Sequence, residues 1–354
     1  IMAYTTIDDP TVYFQVKTYT GNGTAIGSGG NSITFDGETD MAPGMLWYKR
    51  RDATAGHNMH DEVRGAQKRV YPDVSDVEDT GVTEGVNAFT SDGFNLGNSG
   101  AGNASGGTYV AWCWKANGSG SANSDGNTTT TKTSANTTSG FSIITYDGDG
   151  GVATLGHGLG AKPEFIIQKN RDDTEHFQIQ HGAKGATHYG TLSTSNTIDD
   201  LASRWNDTEP TSTLITIGTD SSVSQSGESM VMYAWAGVQG FSKFGSYTGN
   251  VNADGVYIYL GFKPALLIIK ETGNAEPWIM YDNKRSDSGG PNPNDQHLTA
   301  DGNGAASSGT VVDFLSTGVK LRSNAGHLNE GSYIYMAWAE APFVNSNGVP
   351  CNAK

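Results

Sequence analysis

Short apolar runs separated by Gly, Asn, Asp, Ser and Thr recur along the whole chain. In TYVAWCW (108–114), Val110, Trp112 and Trp114 fall on one side of an extended backbone and Tyr109, Ala111 and Cys113 on the other, because side chains alternate with period two. Both sides are apolar. SYIYMAW (332–338) repeats the pattern with Ile334, Met336 and Trp338 against Tyr333, Tyr335 and Ala337, so both segments predict central strands covered on two faces. The second face must meet another sheet, a loop, a neighbouring domain or another subunit. Helix signals are few: HDEVRGAQKR (60–69) and TIDDLASRW (197–205) predict short helices, the second with Thr197 or Asp199 as N-cap.

The strands belong to a threefold internal repeat. DMAPGMLWYK (40–49), GAKPEFIIQK (160–169) and GFKPALLIIK (261–270) each place a lysine six residues after a proline: Pro43 and Lys49, Pro163 and Lys169, Pro264 and Lys270. Upstream of each lies a strand ending in Tyr19, Tyr146 or Tyr247 and then a Gly-containing turn. Downstream, TYVAWCW, SMVMYAW (229–235) and SYIYMAW place Trp114, Trp235 and Trp338 at equivalent positions. A period this long exceeds solenoid and propeller repeats, so each repeat is expected to be a domain with its own core. The division predicted is 1–116 for the first repeat, 117–140 as a Gly/Ser/Thr/Asn linker, 141–239 for the second and 240–354 for the third with a C-terminal tail. The predicted fold is all-β: three tandem β-sandwich domains, jelly-roll or lectin-like, with short helices in loops.

Composition narrows the function. An apolar share of 36% with 48 glycines suits a loop-rich β protein. Acidic residues outnumber basic ones 37 to 22, a net charge of −15 that repels a phosphate backbone, so nucleic acid is not an expected partner. No apolar run approaches the length of a membrane helix, and the opening IMAYTTIDDP lacks the regions of a signal peptide; no membrane partner and no export by the usual route are expected, with Met2 as the natural start. Two cysteines, Cys113 and Cys351, are too few for a disulfide framework, and Cys113 is expected to be a buried free thiol.

Candidate chemistry is sparse. HNMHDE (57–62) gathers His57, His60, Asp61 and Glu62 but lacks the HExxH register, and the third repeat reads WIMYDN (278–283) there, with Trp278 in place of His57 and Asp282 matching Asp61. A position that accepts an indole or an imidazole reads as structural, so no metal is expected. The turns DGDGG (147–151) and NADG (252–255) follow ordinary Asp/Gly turn chemistry and lack the closing Glu of an EF-hand loop. No phosphate loop or nucleophile elbow occurs, no cofactor is implied, and the residues that recur are framework types, so no catalytic residue and no enzymatic activity are expected. Binding needs less: in RWNDTEP (204–210), Trp205 beside Asn206 and Asp207 is the candidate ligand position, a ring able to stack on a sugar next to polar acceptors. The alternative is that Trp205 covers the edge of its own core, the commoner use of a loop tryptophan. Loops 97–107, 204–210 and 286–309 are the expected recognition segments.

The phrases YTTIDDPTVYFQVKTYTGNG, SDGFNLG, GTYVAWCWKA, GHGLGAKPEFIIQK, GFSKFGSYTGN and YIYMAWAEAPFVNSNGVPCNAK together resemble an uncharacterised repeat family of marine tailed-bacteriophage virion proteins, often labelled tail fibre proteins. The resemblance covers nearly the whole chain and implies a virion structural protein made in the host bacterial cytoplasm, a tail fibre or other surface appendage that binds the host cell surface. The alternative it allows is a capsid decoration or tail adaptor with a purely structural role. The expected partners are other virion proteins, further copies of the chain in a homo-oligomer, taken as a trimer from the resemblance to fibres, and a host surface glycan.

Overall fold

Each repeat builds the same antiparallel sheet. In the first, the opening strand Phe14–Thr20 and the lysine strand Met45–Arg50 flank the closing strand Thr108–Trp114, and Asn58–Asp61 lies beyond the lysine strand. The second uses Phe141–Asp147, Phe165–Asn170, Ser229–Trp235 and Gln178–His181 in the same order. The third uses Ser242–Thr248, Phe262–Glu271, Ser332–Pro342 and Ile279–Asp282. This is a computed structural model that describes residues 4–286 and 292–351. Met2 and residues 287–291 of the expected loop 286–309 lie outside the described residues.

Register makes the repeats equivalent residue by residue. Trp114 stands opposite Phe14 and Met45, Trp235 opposite Phe141 and Phe165, and Trp338 opposite Ser242 and Leu266. Likewise Lys49, Lys169 and Lys270 face Val110, Val231 and Ile334. Pro43 and Pro163 precede their strands, where the missing N–H costs nothing; Pro264 lies within Phe262–Glu271 at a register slip, the other place a strand tolerates proline.

One face of each sheet packs on an outer layer of its own repeat. In the first repeat that layer is Asn31–Thr34, Gly93–Leu96 and Val86–Thr90, and Leu46, Tyr48, Ala111 and Cys113 meet Ile33, Phe94 and Leu96. In the second, Ala153–Gly156 and Leu214–Ile217 cover Ile144, Ile166, Met230 and Met232. In the third, Tyr257–Tyr259, Gly318–Leu321 and Ser307–Leu315 are joined to the inner strands through Asn294–Thr299 as one eight-stranded sheet that folds over itself. The result is all-β and sandwich-like, with four short α-helices among the described residues, Gly100–Asn103, Ala202–Trp205, Ser221–Ser224 and Gly326–Asn329.

The other face of each sheet meets the other two repeats. Trp114, Trp235 and Trp338 touch one another edge-to-face, with ring centroids 5.8, 5.2 and 5.8 Å apart for the pairs 114–235, 114–338 and 235–338. Around them a single hydrophobic core takes in Trp112, Ile143, Phe165, Tyr233, Ile268 and Ile334. The two-faced strands are therefore covered on one side by their own outer layer and on the other by sister repeats of the same chain. The apolar pattern that left another subunit open as the cover is met inside one chain, and the three repeats share one core beside the separate outer cores of the first and second.

Several expectations are corrected. Residues 117–140 do not form a free linker: Lys132–Asn136 pairs with Phe141–Asp147, and Asn127 grips Thr154 through both its backbone and its side chain. Polar residues that hydrogen-bond along a sheet edge carry no apolar period, so composition alone reads as linker. The segment 60–69 is not helical; His60 and Asp61 are extended and Gly65 sits at φ 106°, a conformation open to glycine. Only Ala202–Trp205 of the second predicted helix forms, since Asp199–Asp200 pairs with His188 and Tyr189. Most of 294–309 is strand. The N-terminal segment meets the third repeat and its tail: the Tyr4 hydroxyl donates to Gly261 O (2.7 Å), and Asp8 accepts from Ser346 N and Oγ (both 2.6 Å).

Candidate functional site

The repeated lysines turn out to be interlocks. Lys49 Nζ donates to Arg50 O (2.7 Å) and to Asn303 O of the third repeat (3.3 Å). Lys169 Nζ donates to Asp173 O (2.9 Å) and to Ser75 O of the first (3.3 Å); Lys270 Nζ donates to Glu276 O (2.8 Å) and to Ser195 O of the second (3.2 Å). Two residues beyond each lysine, the carbonyls of Arg51, Arg171 and Thr272 accept from the backbone N–H of Ala306, Glu78 and Ile198 in the same neighbours. The three seams are thus related by a pseudo-threefold rotation, a heterologous contact that closes into a ring within one chain. All three lysines are fully buried, and burial lowers each to about 8.

The histidine-rich segment also belongs to a seam. His57 Nε2 donates to Thr299 O of the third repeat (3.0 Å), and its Nδ1 accepts from Trp47 Nε1 (2.8 Å). Trp278 occupies the equivalent position and donates through Nε1 to Thr191 O of the second repeat (3.0 Å), which is why an indole and an imidazole interchange here. Asp61 Oδ2 accepts from Arg64 Nε (2.5 Å) and from the Tyr233 hydroxyl of the second repeat (2.7 Å). Asp282 Oδ2 accepts from Arg285 Nε (2.6 Å) and Trp112 Nε1 of the first repeat (3.0 Å). Glu78 bridges Arg64 (2.5 Å) and Arg171 (2.7 Å); burial pushes its carboxyl up, but those two guanidinium groups outweigh this and hold it below the usual range. In the acidic turns, Asp149 Oδ1 accepts from Gly151 N (2.8 Å) and Asn252 Oδ1 from Asp254 N (2.9 Å), which is turn chemistry.

Trp205 is fully buried in the outer core of the second repeat, against Ile215, Ile217 and Val223. Its candidacy as a ring that stacks on a sugar is corrected by this burial, and the commoner use, covering its own core, is the one the structure has. Asn206 and Asp207 are exposed, at φ 51° and 48°, and turn the chain out of the helix.

A different aromatic pair is exposed. The buried cross-strand pairs Ile33–Phe94, Leu155–Ile215 and Ile258–Val319 occupy the same place in the three outer layers. Their flanking residues are Ser32 and Thr34 in the first repeat, Thr154 and Gly156 in the second, and Tyr257 and Tyr259 in the third. In the second repeat this edge is covered: Thr128 N donates to Thr154 O (3.2 Å), and Asn123 sits so close to Gly156 that a Cβ there would lie 1.8 Å from its Oδ1. In the third the tyrosines are 44% and 55% exposed. Tyr257 borders an open cleft of about 810 Å³ with Lys263, Asn292, Leu315, Thr317 and Glu340, and its hydroxyl shares a hydrogen bond with Thr317 Oγ1 (2.5 Å). Tyr259 borders a second cleft of about 360 Å³ with Tyr4, Glu164 and Lys243. Lys243 Nζ donates to Tyr259 O (2.7 Å) and lies 5.2 Å from its ring centroid; burial lowers its pKa and raises those of Glu164 and Tyr4, the last to about 12. Sequence reasoning missed this face, although setting YIY (257–259) against TLG (154–156) displays the substitution.

Fold and site define an all-β protein of three interlocked repeats with one elaborated surface and a framework built from the residues that recur. The family model described as Domain of unknown function (DUF7483) matches residues 9–342, and the chain belongs to that family. No curated protein matches it.

Proposed function

We propose that the protein is a structural component of a tailed-bacteriophage particle, a tail fibre or other surface appendage that binds the host cell surface and acts without chemistry. The observation that carries the reading is a division of labour. Residues that recur three times lock the seams and the shared core, and the outer strands differ at the surface, where among the described residues the third repeat alone presents two exposed tyrosines at this position. Rigid β frameworks with variable surfaces are the usual basis of recognition. The resemblance of the repeated phrases to virion proteins supplies the setting. Copies of the chain would meet one another and other virion proteins through outer faces, since the inner faces are used within each chain.

A second reading, a capsid decoration or tail adaptor, is favoured by the closed pseudo-threefold shape, which suits a threefold seat on a particle. Antibody-labelled electron microscopy of particles with and without the protein separates the two. Label on a tail appendage, with deletion particles that assemble but adsorb poorly, supports the first; label on the head with normal adsorption supports the second. Absence of the protein from purified particles refutes both.

A further inference from the structure

We infer that the Tyr257–Tyr259 face of the third repeat is a binding site for a neutral oligosaccharide, with the two rings as stacking platforms and the hydroxyl and amide groups of the adjoining clefts as hydrogen-bond partners. The inference rests on the surface-binding reading above and names its ligand class.

The first argument is internal to the chain. Three copies of one framework fill the same two positions with Ser32 and Thr34, with Thr154 and Gly156, or with Tyr257 and Tyr259. The framework therefore does not require aromatics there. Where the positions are small, they are simply exposed or covered by residues 123–128; where they are tyrosine, they stay 44% and 55% exposed. Two large rings about half exposed beside clefts, Tyr257 steadied by its hydroxyl on Thr317 and Tyr259 by Lys243 against its ring, are what a ligand surface offers. Residues two apart on a strand project to the same side about 6.6 Å apart, a spacing on the scale of one sugar ring.

The second argument concerns which ligand. An extended peptide added to this edge would need the outward backbone groups of the strand Tyr257–Tyr259, but Tyr259 O is already occupied by Lys243 Nζ. A polyanion meets a chain of net charge −15. In the larger cleft the charges cancel, since Lys263 pairs with Glu340 (2.8 Å). What remains around Tyr257 is a ring and uncharged polar groups: Thr317 Oγ1, shared with the Tyr257 hydroxyl, and the Asn292 amide, which pairs with Phe314 N and O and keeps a second N–H and a second lone pair, the complement of a neutral sugar's apolar face and hydroxyl rim.

The test titrates the full chain with neutral hexasaccharides of glucose, galactose and mannose, and with a hexuronate hexamer. At least one neutral hexamer should bind, with Tyr257→Ala and Tyr259→Ala each weakening it about tenfold or more and Tyr257→Trp retaining it. Ser32→Ala, at the equivalent place in the first repeat, should change nothing. Unchanged thermal midpoints for the variants exclude misfolding, which exposed rings make the expected result. No binding by any neutral hexamer, binding by the hexuronate alone, or binding indifferent to both alanine variants overturns the inference. Particles carrying Tyr257→Ala separate it from the function proposed above: glycan binding lost with normal adsorption leaves the sugar site standing and removes the attachment reading.

Discussion

Trp235→Ala tests whether the three repeats share one core. The ring is 2% exposed and lies against Trp114 and Trp338 (both 5.8 Å), Phe141 (4.9 Å) and Phe165 (5.2 Å), so it touches two other repeats as well as its own sheet. Truncating a buried tryptophan to alanine costs about 3–5 kcal/mol, and the lost aromatic pairs favour the upper part of that range. Unfolding entropy of about 2.1 cal/mol/K per residue gives about 0.7 kcal/mol/K for a chain of this length, so about 4 kcal/mol lowers the melting midpoint of a single cooperative unit by about 5–6 °C. Were the second repeat to melt alone, its entropy would be about a third as large and its own transition would drop by about 16 °C while the other two stayed put. Differential scanning calorimetry distinguishes these cases directly. Trp235→Phe serves as control and should cost much less, because the Trp235 indole N–H has no hydrogen-bond partner to lose. A split transition with one large displacement would refute the shared core.

Three further outcomes follow from buried groups. Burial lowers His57 and His60 to about 3 and His181 and His297 to about 4; the unfolded chain takes up protons below about 6.5 that the native state refuses, so stability should fall as pH drops from 6.5 towards 3, and denaturant titrations of His57→Gln should show a shallower fall. Lys49, Lys169 and Lys270 titrate near 8 in the native state against 10.5 unfolded, so between those values the native state has released protons the unfolded chain keeps; stability should rise from pH 8 towards 10, and Lys169→Met should flatten that rise. A thiol reagent should label Cys351 at once and Cys113 only on unfolding, since Cys113 is fully buried and burial holds its thiol well above the usual range; prompt labelling of two thiols in native protein would contradict the packing.

Much of the framework was legible because two periods coincide. The two-residue alternation in TYVAWCW and SYIYMAW marks strands buried on both faces, and the Pro-to-Lys spacing fixes register, so the equivalence of Trp114, Trp235 and Trp338 emerges from counting alone. The pattern says that a face is covered but not by what; a sister repeat, a second sheet and a second chain leave the same signature. Residues 117–140 were misjudged because Asn127 and Thr128 hold an edge through hydrogen bonds that need no apolar side chains. Trp205 stayed open between two readings because an amphipathic ring beside Asn and Asp looks alike whether it faces a ligand or its own core. Tyr257 and Tyr259 were hidden by the opposite effect: alternating with Val256, Ile258 and Leu260, they imitate the two-faced core strands, and only the comparison with Thr154 and Gly156 exposes them.

Fusion of the repeats into one chain explains why the seams are alike without being identical. In a ring of three identical chains every seam carries the same residues, whereas here each seam is solved separately. Asp61 takes the hydroxyl of Tyr233, Asp282 takes the indole of Trp112, and His181, whose neighbour at that position is Met336 with no donor to offer, turns Nε2 to the backbone carbonyl of Tyr335 (3.1 Å). Each partner changes with its acceptor around the ring, a freedom that strict symmetry forbids. Covalent linkage also makes the three repeats meet at high effective concentration, so the seams need not sustain association from dilute solution. The consequence for binding is one of valency. A symmetric trimer would display the tyrosine face three times; this chain displays it once per body. If the proposed attachment runs through that face, its avidity has to come from the number of copies displayed together, and not from repetition within the molecule.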